Sequence, residues 1–239
     1  MQAVILAAGK GTRLRPLTDE RPKALVEVAG KPILTRCFET VIELDADELV
    51  VVIGYEGEKI RERYGDSFAG VPITYVRQDE QVGMAHALLQ AEPQVDDDFM
   101  CMDGDCVIRS DLRPLIERQQ EGGVDAVQEV EFVSTEAARV KAICDVTEEN
   151  ELRGIEKEPD DPPNPSLVAA GFAIYSQAMF DACADTELSV RGEYELAESI
   201  HRFVDGKTMV AMTTDGWSVN VNTPEERKLA ERRLQQDSP

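Results

Sequence analysis

The sequence is poor in the residues that build metal clusters and disulfides. Its 239 residues include two histidines, His86 and His201, so a histidine-rich metal site is nearly excluded. The five cysteines are odd in number and form no Cys-x-x-Cys pair. We therefore expect no disulfide framework, and we expect a protein of the reducing cytoplasm.

Long hydrophobic runs are also missing. No segment approaches the roughly 18 apolar residues that a membrane-spanning helix needs. The first residues, MQAVILAA, are typical of a strand rather than of a signal peptide. The hydrophobic fraction of 42% is ordinary for a globular protein and argues against global disorder. We expect a folded protein that does not enter a membrane.

Positive charge is scarce. Lysine and arginine number 25 against 47 aspartates and glutamates, which gives a formal net charge of −22. Because a nucleic-acid-binding protein needs a basic face for the phosphate backbone, a general function of that kind is excluded. Lysine is the rarer of the two basic residues. An acid-rich, lysine-poor surface stays hydrated where salt screens charge, which favours a halophilic source over an ordinary acidic cytosolic protein.

Strand-like and helix-like patterns alternate along the first half of the chain. This order predicts an α/β fold, namely a Rossmann-like three-layer α/β/α domain with a mostly parallel mixed sheet. We expect one domain over residues 1–239, with a nucleotide-binding half at 1–123 and a second half at 124–239. The predicted elements of the first half are strands at 1–8, 49–53, 73–76 and 99–102 and helices at 32–44, 56–64 and 84–91.

Shorter strands dominate after residue 124. Two helices interrupt them, and a charged helix is predicted at the end of the chain. The predicted elements are strands at 126–132, 141–146, 152–156, 167–175, 209–213 and 218–221 and helices at 177–184, 194–204 and 224–235.

A glycine-rich segment, GKGTRLRP at residues 9–16, follows the first predicted strand directly. In open α/β sheets, such a turn directs backbone N–H groups at phosphates. A dinucleotide-binding fingerprint would need a third glycine where Leu14 stands, and a P-loop would need a Gly-Lys-Ser or Gly-Lys-Thr that is absent. A purely structural turn is the third interpretation, but it leaves the charge of the region unexplained.

The same region is basic. Residues 1–36 carry seven positive side chains against three negative ones, a net charge of +4 that leaves −26 for the rest of the chain. An isolated basic region in an acidic protein predicts a small polyanionic ligand such as a nucleoside triphosphate. A solvated basic loop is the alternative.

Two segments of this region carry a family resemblance. AVILAAGKGTRLRPLT at 3–18 and RPKALVEVAGKPI at 21–33 resemble the signature of sugar-1-phosphate nucleotidylyltransferases, such as glucose-1-phosphate uridylyl- and thymidylyltransferases. The resemblance implies that Arg13 and Lys23 clamp the triphosphate and stabilise the transition state. It also implies a nucleotide-binding turn formed by Leu6, Ala7, Ala8, Gly9, Gly11 and Thr12.

Later segments extend the resemblance over nearly the whole chain. Gln78 and Gly83 resemble the residues that read the base. The Gly-Asp pair at 104–105 implies that Asp105 holds a catalytic Mg²⁺, and WSVNVNTP at 217–224 implies Asn220 as second ligand, where most hexose-1-phosphate members carry aspartate. The residues implied to bind the sugar phosphate, which make 124–239 the sugar-binding half, are Glu156, Lys157, Gly171 and, from an RGEYEL stretch, Glu193.

These residue types suit nucleotidyl transfer. A sugar-1-phosphate oxygen is already largely ionised at neutral pH, because the second pKa of a phosphomonoester is ~6. No general base is needed, and the barrier is the approach of two anions and the charge that spreads over the phosphates. Arginine, lysine and Mg²⁺ directed at phosphoryl oxygens lower that barrier.

The resemblance implies a Mg²⁺-dependent enzyme that transfers a nucleotidyl group from UTP or dTTP to a sugar-1-phosphate, with glucose-1-phosphate favoured. A cytidylyltransferase for a polyol or choline phosphate is an alternative, because it shares the N-terminal motif. A catalytically silent homologue that binds a nucleotide sugar is another. The chain ends soon after its last predicted helix, so we expect no C-terminal β-helix. Homo-oligomerisation is left open.

Overall fold

Parallel strands form the centre of the fold. The computed structural model describes residues 1–157 and 159–237. The central strands are continuous apolar runs, as expected where helices cover both faces of a sheet. In spatial order the central strands are β7 (Phe99–Asp103), β1 (Gln2–Ala7), β4 (Glu48–Ile53) and β6 (Val71–Arg77). β1 lies parallel between β7 and β4, and β6 lies parallel to β4 on the far side.

Helices cover both faces of this sheet. Side chains alternate along β1, so Ala3 and Ile5 pack into one apolar cluster and Val4 into the other. The predicted three-layer α/β/α arrangement is confirmed. The first layer contains α1 (Ile33–Glu43), α2 (Glu58–Tyr64), α4 (Arg113–Gln120) and α8 (Pro224–Gln236), and the second contains α3 (Met84–Leu89), α6 (Ala178–Ala184) and α7 (Leu196–Val204).

The second half of the chain extends the same sheet with mainly antiparallel pairs. β12 (Ser166–Tyr175) pairs with β7, so the sheet continues across the proposed division at residue 123. Beyond β12 the sheet branches. The remaining elements are β9 (Ala126–Val133), paired with β12 and with β13 (Met209–Thr213), then β10 (Ala142–Val146), β11 (Leu152–Lys157) and the short α5 (Thr135–Ala138).

A separate antiparallel pair of strands brings the end of the chain back to the first half. β8 (Cys106–Ser110) pairs antiparallel with β14 (Gly216–Asn220), which sets Asn220 opposite Cys106. The backbone N–H of Val221 then donates to the carbonyl of Asp105 at 2.8 Å. Residues 220–223 therefore lie beside the carboxyl end of β7. The other short pairs are β2 (Glu27–Val28) with β3 (Lys31–Pro32) and β5 (Ser67–Phe68) with β6.

The predicted elements are present with small shifts at their ends, but the helices α4 and α5 and the strands β2, β3, β5 and β8 were not predicted. The four-residue α5 and the two-residue β2, β3 and β5 are too short for a periodic signal, and α4 offers only Leu115 and Ile116 as apolar side chains. α7 begins at Leu196 rather than at 194, because the backbone of Tyr194 bonds to Val82 and Ala85 instead.

The sequence predicts neither a β-helix nor a membrane-spanning helix. The described residues contain no β-helix, and no helix among them is long and apolar enough to cross a membrane. Residues 158, 238 and 239 of the predicted domain lie outside the described residues.

Candidate active site

Two adjoining cavities lie at the carboxyl ends of β1, β6 and β7. The N-terminal cavity, of about 520 Å³, is lined mainly by residues 6–13, Gln78 and residues 103–105. The C-terminal cavity, of about 530 Å³, is lined mainly by residues of β9 to β12 and by the start of α7. Seven residues line both cavities and form what we call the shared wall: Met84, Asp103, Val140, Lys157, Asn220, Asn222 and Glu226.

The glycine-rich turn forms one side of the N-terminal cavity. Gly11 has a φ of 63°, and a Cβ at this position would lie 2.9 Å from Cβ of Lys23, so the turn accepts only glycine without strain. Thr18 Oγ1 donates to the carbonyl of Gly11 at 2.7 Å and fixes the turn. Within residues 1–157 and 159–237, no hydrogen-bond acceptor engages the backbone N–H groups of Lys10, Gly11 and Thr12. These groups are available to an anion.

Lys23 and Asp105 meet where this turn approaches the end of β7. Gly104 makes the approach close, because its N–H donates to the carbonyl of Leu6 at 3.0 Å and a Cβ would lie 2.7 Å from that oxygen. Lys23 is a buried residue, 9% exposed, and its ammonium group forms an ion pair with Oδ2 of Asp105. The two residues are 82 positions apart in the sequence.

Asn222 completes this cluster and was missed by the sequence analysis. Its Oδ1 accepts from Lys23 Nζ at 2.6 Å and from Arg13 Nη2 at 3.0 Å. Its backbone N–H donates at 2.8 Å to Glu226, whose carboxylate also caps the start of α8. A signal was available, because Asn222 lies two residues after Asn220 and extended chains place such residues on one side.

Asn220 bonds to a different set of partners from Asn222. Its Oδ1 accepts from the Cys106 thiol at 3.3 Å, and its Nδ2 donates to Asp103 Oδ2 at 3.3 Å. Burial and the nearby charge of Asp105 raise the pKa of Asp103 to about 7. Both ends of the Asn220 amide are therefore engaged within the protein.

The oxygens around Lys23 fit a divalent cation. Asp105 Oδ1 is buried and has no hydrogen-bond partner among the residues that the structure describes, while Oδ2 and the Asn222 oxygen already face an ammonium group. Carboxylate and amide oxygens are ligands that Mg²⁺ accepts. No group of three or more His, Cys, Asp or Glu side chains in the described ranges could hold a metal. A metal here would therefore take few protein ligands, as Mg²⁺ commonly does beside phosphates.

Gln78 presents a single kind of polar atom to the N-terminal cavity. The residue is 3% exposed, and its Nε2 lies 3.1 Å from the carbonyl oxygen of Gly83 and 3.1 Å from His86 Nδ1. A carbonyl oxygen only accepts hydrogen bonds, so the amide nitrogen must face Gly83. The amide oxygen, Oε1, is left as the acceptor for a ligand.

The C-terminal cavity carries two ion pairs. Lys157 Nζ lies 2.8 Å from Glu195 Oε2, and Lys141 Nζ lies 2.6 Å from Glu131 Oε1. Neither Glu195 nor the Lys141 pair was predicted as part of a site. Glu195 lies in the same RGEYEL stretch as Glu193, but its pairing with Lys157, 38 positions away, and the pairing of Lys141 with Glu131 depend on contacts made in the folded sheet.

The predicted site residues are brought together with one exception. Glu156 lines neither cavity, because it alternates on β11 with Ile155 and Lys157 and its side chain leaves from the other face. The structure therefore places Glu156 apart from Lys157, and its predicted contact with the sugar phosphate stays a prediction. The other fifteen line one or both cavities: Leu6, Ala7, Ala8, Gly9, Gly11, Thr12, Arg13, Lys23, Gln78, Gly83, Asp105, Lys157, Gly171, Glu193 and Asn220.

Known proteins are similar to this chain in sequence and in fold. The nucleotidyl transferase family matches residues 2–218. The UTP–glucose-1-phosphate uridylyltransferase AglF of Haloferax volcanii is 46% identical over 239 residues, which cover 100% of this chain and 98% of that protein. A glucose-1-phosphate thymidylyltransferase of Streptomyces antibioticus is 29% identical over 91% of this chain and 61% of its own length.

A solved structure agrees with these matches at the level of the fold. A UDP-glucose pyrophosphorylase complexed with UDP-glucose superimposes with a TM-score of 0.87 at 21% identity, over 100% of both chains. The α/β fold and the family resemblance noted in the sequence are both confirmed. The chain belongs to the nucleotidyl transferase family.

Proposed function

We propose that this protein transfers the nucleotidyl group of UTP or dTTP to a sugar-1-phosphate, with glucose-1-phosphate favoured, and releases pyrophosphate. The observation that carries the proposal is the junction of two cavities, with Lys23 and Asp105 on one side and Lys157 in the shared wall. A relative of 46% identity that is named for UTP and glucose-1-phosphate supports the choice of substrates.

The nucleotide occupies the N-terminal cavity in this proposal. Its phosphates meet the free N–H groups of residues 10–12 and the charges of Arg13 and Lys23. Its base meets Oε1 of Gln78, which can only accept. We propose that Oε1 meets N3 of the base, where uracil and thymine present an N–H donor and cytosine a lone pair, so a contact at this position favours UTP or dTTP over CTP.

The sugar-1-phosphate occupies the C-terminal cavity, with its phosphate at Lys157. A phosphate oxygen, already ionised, attacks the α-phosphorus of the nucleotide. The new bond joins that oxygen to the α-phosphorus, and the bond from the α-phosphorus to the bridging oxygen of pyrophosphate breaks. Arg13 and Lys23 stabilise the charge that develops on the α-phosphate and the leaving pyrophosphate.

We propose Mg²⁺ as the cofactor. When bound, it supplies positive charge that offsets the phosphoryl oxygens. Asp105 would hold it through the buried, unpartnered Oδ1. Asn220 follows from the family pattern as second ligand, but it bonds to Cys106 and Asp103. Asn222 Oδ1 and Asp105 Oδ2 bond to the same Lys23 ammonium group, so these two oxygens lie close together and Asn222 is the alternative second ligand.

We also place the reaction in the cytoplasm. All five cysteines are free and buried, and none is paired with another. Thiols in this state are typical of a reducing compartment.

A panel of nucleoside triphosphates against phosphate acceptors, scored by pyrophosphate release, tests the proposal. UTP or dTTP with glucose-1-phosphate should give the highest kcat/KM. Highest activity with CTP and a polyol or choline phosphate would instead establish the cytidylyltransferase alternative. Tight binding of a nucleotide sugar without turnover of any pair would establish the silent homologue.

A further inference from the structure

Lys157 holds a special position between the two cavities. Within the shared wall as described, it is the one cationic side chain. A phosphate that joins a ligand in the C-terminal cavity to a ligand in the N-terminal cavity would lie along this wall, within reach of the Lys157 ammonium group. Lys157 is 38% exposed at its side chain, so its long chain would be free to leave this position without a partner.

Glu195 is that partner. Its Oε2 lies 2.8 Å from Lys157 Nζ, and its side chain is only 12% exposed. Its other oxygen accepts from Ser189 Oγ at 3.2 Å, so both carboxylate oxygens are bonded. Burial acts to raise the pKa of Glu195, but the hydrogen bonds from Lys157 and Ser189 and the charges of Lys157 and Arg191 together outweigh it, so the pKa lies below its usual value. The carboxylate is thus charged and fixed.

The chain beside Glu195 is tied to the segment that follows Gln78. The N–H of Tyr194 donates to the carbonyl of Val82 at 2.7 Å, and the N–H of Ala85 donates to the carbonyl of Tyr194 at 3.0 Å. Gly83 lies between these bonds, where a Cβ would come within 2.3 Å of the Tyr194 carbonyl oxygen. Glu195 is therefore anchored to the wall of the N-terminal cavity on one side and reaches Lys157 on the other.

We propose that Glu195 is a positioning residue that acts through Lys157, holding its ammonium group at the junction where the sugar phosphate meets the nucleotide. The proposal rests on the function proposed above. In this proposal Glu195 acts through its bond to Lys157 and not on a reacting atom, and Ser189 holds its second oxygen.

Glu195→Gln keeps the shape of the side chain and removes its charge. In this variant we expect KM for the sugar-1-phosphate to rise roughly tenfold, the size of one charge-assisted hydrogen bond. Affinity for the nucleotide alone should stay unchanged. Glu195→Asp, which retains the carboxylate, should recover part of the loss. Glu198→Gln is the matched control, because Glu198 pairs with Arg202 on the same helix and lines neither cavity.

A double-mutant cycle with Lys157→Met decides whether the effect passes through Lys157. If it does, Glu195→Gln adds nothing to the loss already caused by Lys157→Met. A further tenfold rise of KM in the Lys157→Met background would overturn the proposal, as would an unchanged KM in the single variant.

Acylation of Lys157, followed by mass spectrometry, gives a readout that needs no turnover. An ammonium group paired with a carboxylate reacts slowly, so Glu195→Gln should label Lys157 faster and Glu198→Gln should not. If no substrate pair turns over in the unaltered protein, the proposed function fails while labelling still tests the pair. Equal labelling rates in an active protein would contradict the role of Glu195 alone.

Discussion

The two cavities bind their ligands by different means. One side of the N-terminal cavity is a continuous stretch, residues 6–13, which offers backbone N–H groups and the cations of Lys10 and Arg13. The C-terminal cavity is built from side chains of several strands, and its lysines are already paired with Glu195 and Glu131. A site made of backbone depends on glycines at fixed positions, whereas a site made of ion pairs depends on residues far apart in the sequence.

The largest effect should come from Lys23, which bridges Asp105 and Asn222. Lys23→Ala should lower kcat by on the order of 10²–10³, because this charge acts mainly on the transition state, while the Kd for the nucleotide changes far less. Arg13→Ala should act in the same direction. Steady-state kinetics beside a nucleotide titration would measure both quantities.

Arg15→Ala is the control for this pair, because Arg15 is a near neighbour that lines neither cavity. It should leave kcat unchanged. An unaltered kcat with a raised KM in Lys23→Ala would show that Lys23 binds ground state and transition state equally.

A smaller effect is expected at Gly11. Gly11→Ala places a residue with a Cβ at a φ of 63° and presses that Cβ against Lys23. The left-handed conformation alone destabilises the fold by about 1–2 kcal/mol. Gly30→Ala separates the two causes, since Gly30 has a φ of 73° but nothing lies near its missing Cβ. Both variants should lose thermal stability, Gly11→Ala more than Gly30→Ala because of its contact with Lys23, and only Gly11→Ala should also lose activity. Equal activity in the two would remove the turn from the site.

The difference between the cavities also explains what the sequence could predict. The Gly-rich turn and Asp105 follow from local patterns, since each comes just after a recognisable strand, and Lys23 follows from the family signature at 21–33. The three-layer fold follows from the alternation of apolar runs. Glu195 as partner of Lys157 and Asn222 as partner of Lys23 depend on contacts made only after folding, across 38 and 199 positions for the two pairs.

Glu156 shows the opposite case, in which a sequence motif groups two residues that the strand separates. It was grouped with Lys157 because the two are adjacent in the sequence, but neighbours on a strand face opposite sides. The family pattern identified the right strand, and the alternation along the strand decided which side chain enters the cavity.

Variants of the proposed metal ligands come next, and we expect them to change the Mg²⁺ concentration for half-maximal rate several-fold. Asn222→Asp adds a negative charge opposite Asp105, so the Mg²⁺ concentration for half-maximal rate should fall. Asn220→Asp should change it less, because that amide is engaged by Cys106 and Asp103. Asp105→Asn should raise the midpoint and reduce kcat. A larger fall with Asn220→Asp than with Asn222→Asp would restore Asn220 as second ligand.

The smallest effect concerns the charge outside the N-terminal region. The chain beyond residue 36 carries a net charge of −26, so repulsion should destabilise the fold at low ionic strength and KCl should relieve it. We expect Tm to rise by several degrees between dilute buffer and molar KCl. A Tm that stays flat or falls would contradict the halophilic interpretation of the composition.

The central claim is that the α-phosphorus of a nucleotide in the N-terminal cavity is transferred to a sugar phosphate in the C-terminal cavity. Labelled UTP tests it most directly, with ³²P at either the α or the γ position and glucose-1-phosphate as acceptor. The account predicts that the α label appears in the nucleotide sugar and the γ label in pyrophosphate. Transfer of the γ label to the sugar phosphate, or its release as inorganic phosphate without a nucleotide sugar, would contradict it.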